Sequence, residues 1–175
     1  MRRIVIALML LATPAGAYDD AEARAEEREA LLQALKAAPD ERVAKAAADA
    51  LWEHWFVAPD ETAQRLLAKA MARRMAYDYA GAIEHLDELV AYAPDYAEGW
   101  NQRATVLFLQ GRYDASLEDV EKVLALEPAH FGALSGKGMI LMSQGRAKLA
   151  QDAMREAVAV HPYLSERRLL SDGAR

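Results

Sequence analysis

The chain has 175 residues, which is room for about one domain, and its 53% hydrophobic and 27% charged residues are ordinary values for a globular protein. A formal net charge of −6 repels phosphate backbones and argues against general nucleic-acid binding, and no basic stripe with interleaved aromatic residues is present. Ala is abundant while Gly and Pro are few, so the composition favours an all-α fold.

The first 17 residues have the form of a secretory signal peptide. A basic start at 1–3 precedes an apolar run over 4–12, which is shorter than the roughly 20 residues that span a bilayer. Small residues at 15–17 resemble a signal-peptidase site. We therefore predict an exported, periplasmic protein whose mature chain starts near Tyr18, without stable membrane insertion after cleavage. An uncleaved N-terminal anchor is the alternative.

Residues 18–62 predict a pair of helices, over about 20–37 and 40–56, with Asp40 as the cap of the second helix. Seven apolar residues of this pair are predicted to pack onto the repeat that follows: Leu31, Leu32, Leu35, Leu51, Trp52, Trp55 and Phe56. The alternative for the aromatic members of this set is an exposed docking patch.

A repeat begins after this pair. Pro94, Pro128 and Pro162 are each 34 residues apart, and a fixed period of this length is the signature of a solenoid. The registers are 63–96, 97–130 and 131–164. At the eighth and twentieth positions the residues are small, which lets two helices approach closely: Ala70, Ala104 and Gly138, then Ala82, Ser116 and Ala150.

The turn inside each repeat falls at the fifteenth position. Gly111 and Gly145 stand there in the second and third repeats and permit a positive φ. Tyr77 departs from this pattern in the first repeat, as does Arg73 at an apolar position, which predicts less regular packing. Asp95 and Glu98 have the spacing of a capping box for the next helix.

The predicted repeat helices are about 61–76, 79–92, 97–110, 113–126, 131–144 and 147–160. A short capping helix is predicted over 164–170, and a frayed tail over 171–175.

The repeats resemble the tetratricopeptide-repeat (TPR) family over residues 63–164. The middle repeat carries the pattern best, at Trp100, Ala104, Leu107, Gly111, Tyr113, Ser116, Val120 and Pro128. The resemblance implies a right-handed α-solenoid of TPR helical hairpins over 63–164. The segment 18–62 is then a degenerate repeat or cap, and 165–175 a C-terminal cap and tail.

The resemblance also implies a concave groove lined by the first helix of each repeat. Ten residues are predicted to bind a protein or peptide partner there: Leu67, Met71, Arg74, Met75, Asn101, Thr105, Phe108, Leu109, Met139 and Met142. Some TPR domains grip a carboxylate with Lys and Asn where this chain has Leu67 and Met71, so that clamp is absent. The groove is apolar and rich in Met, which suits varied apolar segments. Internal packing or self-association of this face is the alternative.

No catalytic or cofactor motif is present in the sequence. The helix bearing His85 lacks the second His that helical zinc sites use, and His130 and His161 lie at predicted helix ends. With no Cys, disulfides and lipid modification are excluded. We predict a non-enzymatic interaction module without cofactors, acting as an adaptor or scaffold. The alternatives are an assembly factor or chaperone for exported proteins, or a self-associating structural subunit that forms a homo-oligomer.

Overall fold

The computed structural model describes residues 21–170, and side chains from residue 23; the predicted signal peptide and the tail at 171–175 lie outside this range. Within it the chain is entirely helical and carries no strand. The helices are α1 (Ala21–Lys36), α2 (Glu41–Phe56), α3 (Glu61–Met75), α4 (Tyr79–Tyr92), α5 (Ala97–Leu109), α6 (Tyr113–Leu126), α7 (Phe131–Ser143) and α8 (Ala147–Val160), followed by a 3-10 helix (Ser165–Leu169). The predicted helices are confirmed. None of those in 21–170 is long and apolar enough to cross a membrane.

Helices α3–α4, α5–α6 and α7–α8 form three hairpins that stack through α4–α5 and α6–α7. The small residues of the repeat lie where the helices of a hairpin meet. A Cβ added to Gly138 would come within 3.0 Å of Met154 Cε and 3.3 Å of the Ala150 carbonyl oxygen. In the middle hairpin the Ser116 hydroxyl donates to the Ala104 carbonyl at 2.7 Å. Close helix contact therefore explains the small residues, as predicted.

The three hairpin turns have the same backbone form. Gly111 and Gly145 both have φ of +73°, as predicted, and Tyr77 adopts φ of +60° at the equivalent place. In the first turn the amide of Tyr77 donates to the Arg74 carbonyl and the amide of Asp78 donates to the Arg73 carbonyl. This is the pair of bonds of a Schellman helix end, and it recurs at both glycines. Tyr77 therefore takes the glycine conformation without being glycine.

Helix capping follows the prediction at Asp40, whose side chain accepts from the Val43 amide at 2.9 Å. The predicted capping box at Asp95 is wrong: α5 begins after Tyr96 and has no side-chain cap bond. Asp95 is exposed, whereas Glu98 is buried and bonded to side chains instead.

The N-terminal pair packs differently from the prediction. Leu32, Leu35, Leu51 and Trp55 share one buried cluster with residues of the third repeat: Phe131, Leu134, Met154, Ala157 and Val160. Leu31 and Trp52 pack against the same cluster. Of the seven apolar residues, Phe56 is the one that joins the first repeat's core. The α1–α2 hairpin thus folds back over the solenoid and packs against the third repeat.

The backbone between α2 and α3 differs from the connections between the other hairpins. After α4 and α6 the chain forms a common turn, in which the Tyr96 amide donates to the Ala93 carbonyl and the His130 amide to the Glu127 carbonyl. At 57–60 the conformation differs, with Val57 at φ −71° and ψ 104° against φ −127° and ψ 72° at Ala93. The chain therefore leaves α2 in another direction, and α1–α2 does not continue the stack.

Two contacts fix the returned hairpin. Arg28 forms an ion pair with Glu127 at 2.5 Å, and the Tyr163 hydroxyl donates to the Pro39 carbonyl at 3.1 Å. The first contact joins α1 to the loop between the second and third repeats, and the second joins the α1–α2 loop to the C-terminal segment.

Candidate functional site

The predicted groove residues lie on α3, α5 and α7, and they differ in accessibility. Four are exposed: Met75, Leu109, Met139 and Met142. Four are half-buried: Met71, Arg74, Thr105 and Phe108. The remaining two, Leu67 and Asn101, are buried, with 1% and 7% of their surface exposed.

Leu67 is therefore not available to a partner, and the prediction is corrected for it. Asn101 borders the groove only with the 7% of its surface that stays exposed. Leu67 belongs to the core between α3 and α4, together with Ala70 and Leu86. The Asn101 side chain donates to the buried Glu98 carboxylate at 3.0 Å. The position in the repeat predicts that a residue faces the groove, but it does not predict how deeply its side chain is buried.

A pocket of about 190 Å³ opens between α5 and α7, with α6 as its floor. Its lining is Asn101, Ala104, Thr105, Phe108, Ser116, Val120, Gly132, Ala133, Ser135, Gly136, Met139 and Ile140. This volume is below the range of pockets for drug-sized ligands, and it suits a single side chain. A Cβ added to Gly136 would meet nothing within 4 Å, so this residue borders open space.

The hydroxyl groups of the pocket are bonded inside the chain. Thr105 donates to the Asn101 carbonyl at 2.9 Å and Ser135 donates to the Gly132 carbonyl at 3.1 Å. Ser116 donates to Ala104, as described above. With these donors already paired, the pocket offers a partner mainly apolar surface from Phe108 and Met139.

The hairpin α1–α2 covers the end of the groove next to the inter-repeat loops. The Trp52 ring lies so close to Gly132 that an added Cβ there would be 2.4 Å from Trp52 Cη2. Trp55 stacks on His130, with ring centroids 3.9 Å apart and planes 15° apart. The sequence analysis did not predict that α2 fills this end of the groove. The one available signal was Gly132, a residue without a side chain at the start of α7.

A buried polar cluster lies beneath Trp55. The Glu98 carboxylate accepts from Asn101 at 3.0 Å and from Gln102 at 2.5 Å, and lies 3.3 Å from His130 Nε2. His130 Nδ1 accepts from the Ala133 amide at 3.1 Å, so the ring proton resides on Nε2 and points to Glu98. His130 thus caps α7 and also links α7 to α5 through Glu98. Its position in the sequence predicts the first of these roles and not the second.

The pKa values of His161 and His54 are shifted. Burial lowers the pKa of His161 from its usual value, opposed by Glu166 and assisted by Arg167. Burial also lowers the pKa of His54, opposed by a hydrogen bond with Glu27. Within residues 21–170 no three His, Asp or Glu side chains are arranged to hold a metal ion.

Comparison with known proteins agrees with this architecture. The tetratricopeptide-repeat family model matches residues 97–130, the middle repeat. A TPR repeat-containing protein of Rhizobium etli is 53% identical over 36 residues, which is 21% of this chain and 18% of that protein. The chain thus matches less than a fifth of this relative's length.

Solved structures share the fold at low sequence identity. The Sgt2 TPR domain of Aspergillus fumigatus is 21% identical with a TM-score of 0.57, covering 67% of this chain and 74% of that domain. MamA is 21% identical with a TM-score of 0.55, covering 83% of this chain and 91% of its own. The first TPR domain of Spaghetti (RPAP3), bound to an HSP90 peptide, is 17% identical with a TM-score of 0.61, covering 62% and 86%.

The three stacked hairpins and the family match at 97–130 define a helical-repeat scaffold. Residues 97–130 match the tetratricopeptide-repeat family, and the described chain shares the fold of the TPR domains named above.

Proposed function

We propose that this protein binds an apolar polypeptide segment in the open part of its concave groove, as an adaptor or scaffold. The observation that carries the proposal is the pocket of about 190 Å³ with paired hydroxyls and an apolar lining. A bulky apolar side chain placed there would contribute roughly 1.5–3 kcal/mol.

The chemistry of the groove selects among partners. The RPAP3 domain was solved with the HSP90 peptide SRMEEVD, and the yeast Sti1 TPR2B domain, 20% identical with a TM-score of 0.56, was solved with an Hsp70 peptide. In this chain Leu67 is core and Met71 is apolar at the positions where some family members bind a carboxylate. We therefore favour a segment that presents apolar side chains over an acidic chain end.

Selection of phage-displayed peptides on the immobilised protein, followed by anisotropy measurements, tests this proposal. Selected peptides should carry a bulky apolar residue and bind Gly136→Leu at least tenfold more weakly than the wild type, because the new side chain fills the pocket. The added Cβ has free space and glycine is a poor helix former, so the helix should remain stable. Lys122→Leu, on the exposed surface of α6, is the matched control. Equal binding by both variants would place the peptide elsewhere.

A chaperone that accepts many apolar segments is the second candidate. The exposed methionines Met139 and Met142 favour it, since their flexible side chains adapt to different shapes. An adaptor should select one consensus peptide, whereas a chaperone should select unrelated apolar peptides whose binding is insensitive to salt.

We also propose that the protein acts after export to the periplasm, on the basis of the signal-like first 17 residues. Fractionation of the producing cells and mass spectrometry of the N-terminal peptide test this proposal. A periplasmic chain starting near Tyr18 would support it, and a cytoplasmic chain that retains Met1 would refute it.

A further inference from the structure

The three hairpin turns form one edge of the solenoid, which we call the turn edge: residues 73–78, 109–112 and 142–146. The turns lie side by side because the hairpins stack in parallel, and Gln144 donates to Asp114 at 2.7 Å between the last two hairpins. The turn edge exposes four large apolar side chains: Met75, Tyr77, Leu109 and Met142.

The turn edge is also cationic. It carries Arg73, Arg74, Arg112 and Arg146 against one carboxylate, Asp78, which forms an ion pair with Arg73 at 3.0 Å. The chain as a whole has a net charge of −6, so the positive charge on this edge is a local concentration of cations.

Tyr77 has a strained backbone at the first turn. Its backbone is at φ +60°, where a residue with a Cβ is strained, and its side chain is 81% exposed. Among the aromatic rings of residues 21–170, its ring neighbours that of Tyr79, with centroids 6.3 Å apart. A strained and exposed aromatic residue that gains little inside its own chain points to a contact outside it.

The opposite edge of the molecule, at the loops between repeats, holds a cleft of about 530 Å³. Its lining, which we call the loop cleft, is Arg24, Val57, Pro59, Asp60, Tyr92, Ala93, Pro94, Asp95 and Tyr96. Val57 and Tyr92 expose 44% and 51% of their surface there. The loop cleft therefore presents exposed apolar surface beside its charged residues.

The charge of the loop cleft is opposite to that of the turn edge. Asp60 and Asp95 supply two carboxylates, and hydrogen bonds from the Tyr92 hydroxyl and the Ala63 amide lower the pKa of Asp60. The one lining cation is Arg24, which donates to the His54 carbonyl at 3.4 Å.

We propose that the turn edge of one copy of this chain docks in the loop cleft of a second copy. Met75 and Tyr77 then meet Val57 and the prolines, and Arg74 lies opposite Asp95. Because the two surfaces differ, the contact is head-to-tail and each added copy leaves one of each surface free. This inference does not rest on the pocket at Gly136, which takes no part in it, although the turn edge includes three residues predicted for the groove: Met75, Leu109 and Met142.

Sedimentation velocity at low salt, over a range of protein concentration, tests the proposal. The wild type should form a series of oligomers that dissociate in high salt. Arg74→Glu and Asp95→Arg should each be monomeric. The two mixed should assemble again, because the intact turn edge meets the intact loop cleft and the two substituted surfaces carry exchanged charges that attract each other. Tyr77→Ser should weaken assembly without changing the charge.

The controls are Lys122→Glu and Glu118→Arg, which make the same charge changes on the exposed surface of α6 and should assemble like the wild type. Circular dichroism checks the fold of each variant, and Gly136→Leu should assemble normally. A wild type that stays monomeric at high micromolar concentration would overturn the proposal. So would a mixture of Arg74→Glu and Asp95→Arg that remains monomeric, or either single variant that assembles like the wild type.

Discussion

Residue 77 shows how one side chain can depart from a repeat while the backbone keeps to it. The turn bonds of the first hairpin match those at Gly111 and Gly145, so the Schellman end is imposed by the helices on both sides. Tyr77 accepts a positive φ as the consequence. The sequence predicted the irregular residue, but it did not predict that the turn would stay regular around it.

Replacing Tyr77 with glycine should raise the free energy of unfolding by about 1 kcal/mol, because glycine adopts a positive φ without a Cβ clash. Urea unfolding followed by circular dichroism measures the change. Tyr77→Ala keeps the strained backbone and should be no more stable than the wild type. The explanation fails if the glycine variant is less stable than the alanine variant.

His161 gives the folded chain a pH dependence. Burial lowers its pKa below the ordinary 6.5, and its ring packs on Phe131 at 5.1 Å. Since the unfolded chain binds the proton more readily, this contribution to stability is complete above pH 6.5 and is lost as the pH falls below it. His54 acts with the same sign.

Unfolding midpoints measured between about pH 7 and pH 5 should therefore fall with pH for the wild type. They should fall less steeply for His161→Gln, which cannot take up the proton. An unchanged slope in that variant would show that His161 does not carry the effect.

Glu98 marks a limit of prediction at the scale of residues. Its spacing from Asp95 is that of a capping box, and the sequence alone favours that role. In the fold the carboxylate is buried near His130, which lies 32 residues further along the chain, and beneath the α1–α2 hairpin. Local spacing carries no information about either neighbour.

At the scale of elements, the repeat period predicted where the helices begin and end, because the small residues, turn positions and prolines recur in every copy. The partner of α1–α2 was mispredicted. An amphipathic face defined by Leu51 and Trp55 can be buried by any apolar surface of suitable shape. The hairpin that packs on the third repeat is followed by a different backbone conformation at 57–60, and in the sequence Pro59 lies 35 residues before Pro94 rather than 34.

A double-mutant cycle tests where the hairpin packs. Trp55→Leu and Phe131→Leu should couple by more than about 0.5 kcal/mol in urea unfolding, because their rings lie 5.4 Å apart. Trp55→Leu and Leu86→Ala, the latter in the core of the first repeat, should be additive. The opposite pattern would mean that the hairpin stacks on the first repeat.

At the scale of the whole molecule, the α1–α2 hairpin fills one end of the groove as a stable part of the fold. Leu35, Leu51 and Trp55 are buried, and each contributes roughly 1.5–3 kcal/mol relative to exposure. Releasing α1–α2 would remove a large part of the 5–15 kcal/mol that stabilises a typical domain. The hairpin is therefore part of the core, and a partner binds in the part of the groove that it leaves open.

Of the ten residues predicted for the groove, four line the pocket between α5 and α7: Asn101, Thr105, Phe108 and Met139. The repeat could not predict that one end of the groove is filled from within the chain, because that contact joins residues about 80 positions apart, such as Trp52 and Gly132. The remaining opening lies at Phe108, Gly136 and Met139.

An NMR titration with a selected peptide tests the groove most directly. The protein is labelled with ¹³C at its methionine methyl groups. The Met139 methyl signal should move as the peptide saturates, since this side chain lines the open pocket. The signal of Met154, which is 1% exposed in the core, should stay in place. A saturated complex in which the Met139 signal is unmoved would contradict the proposed site.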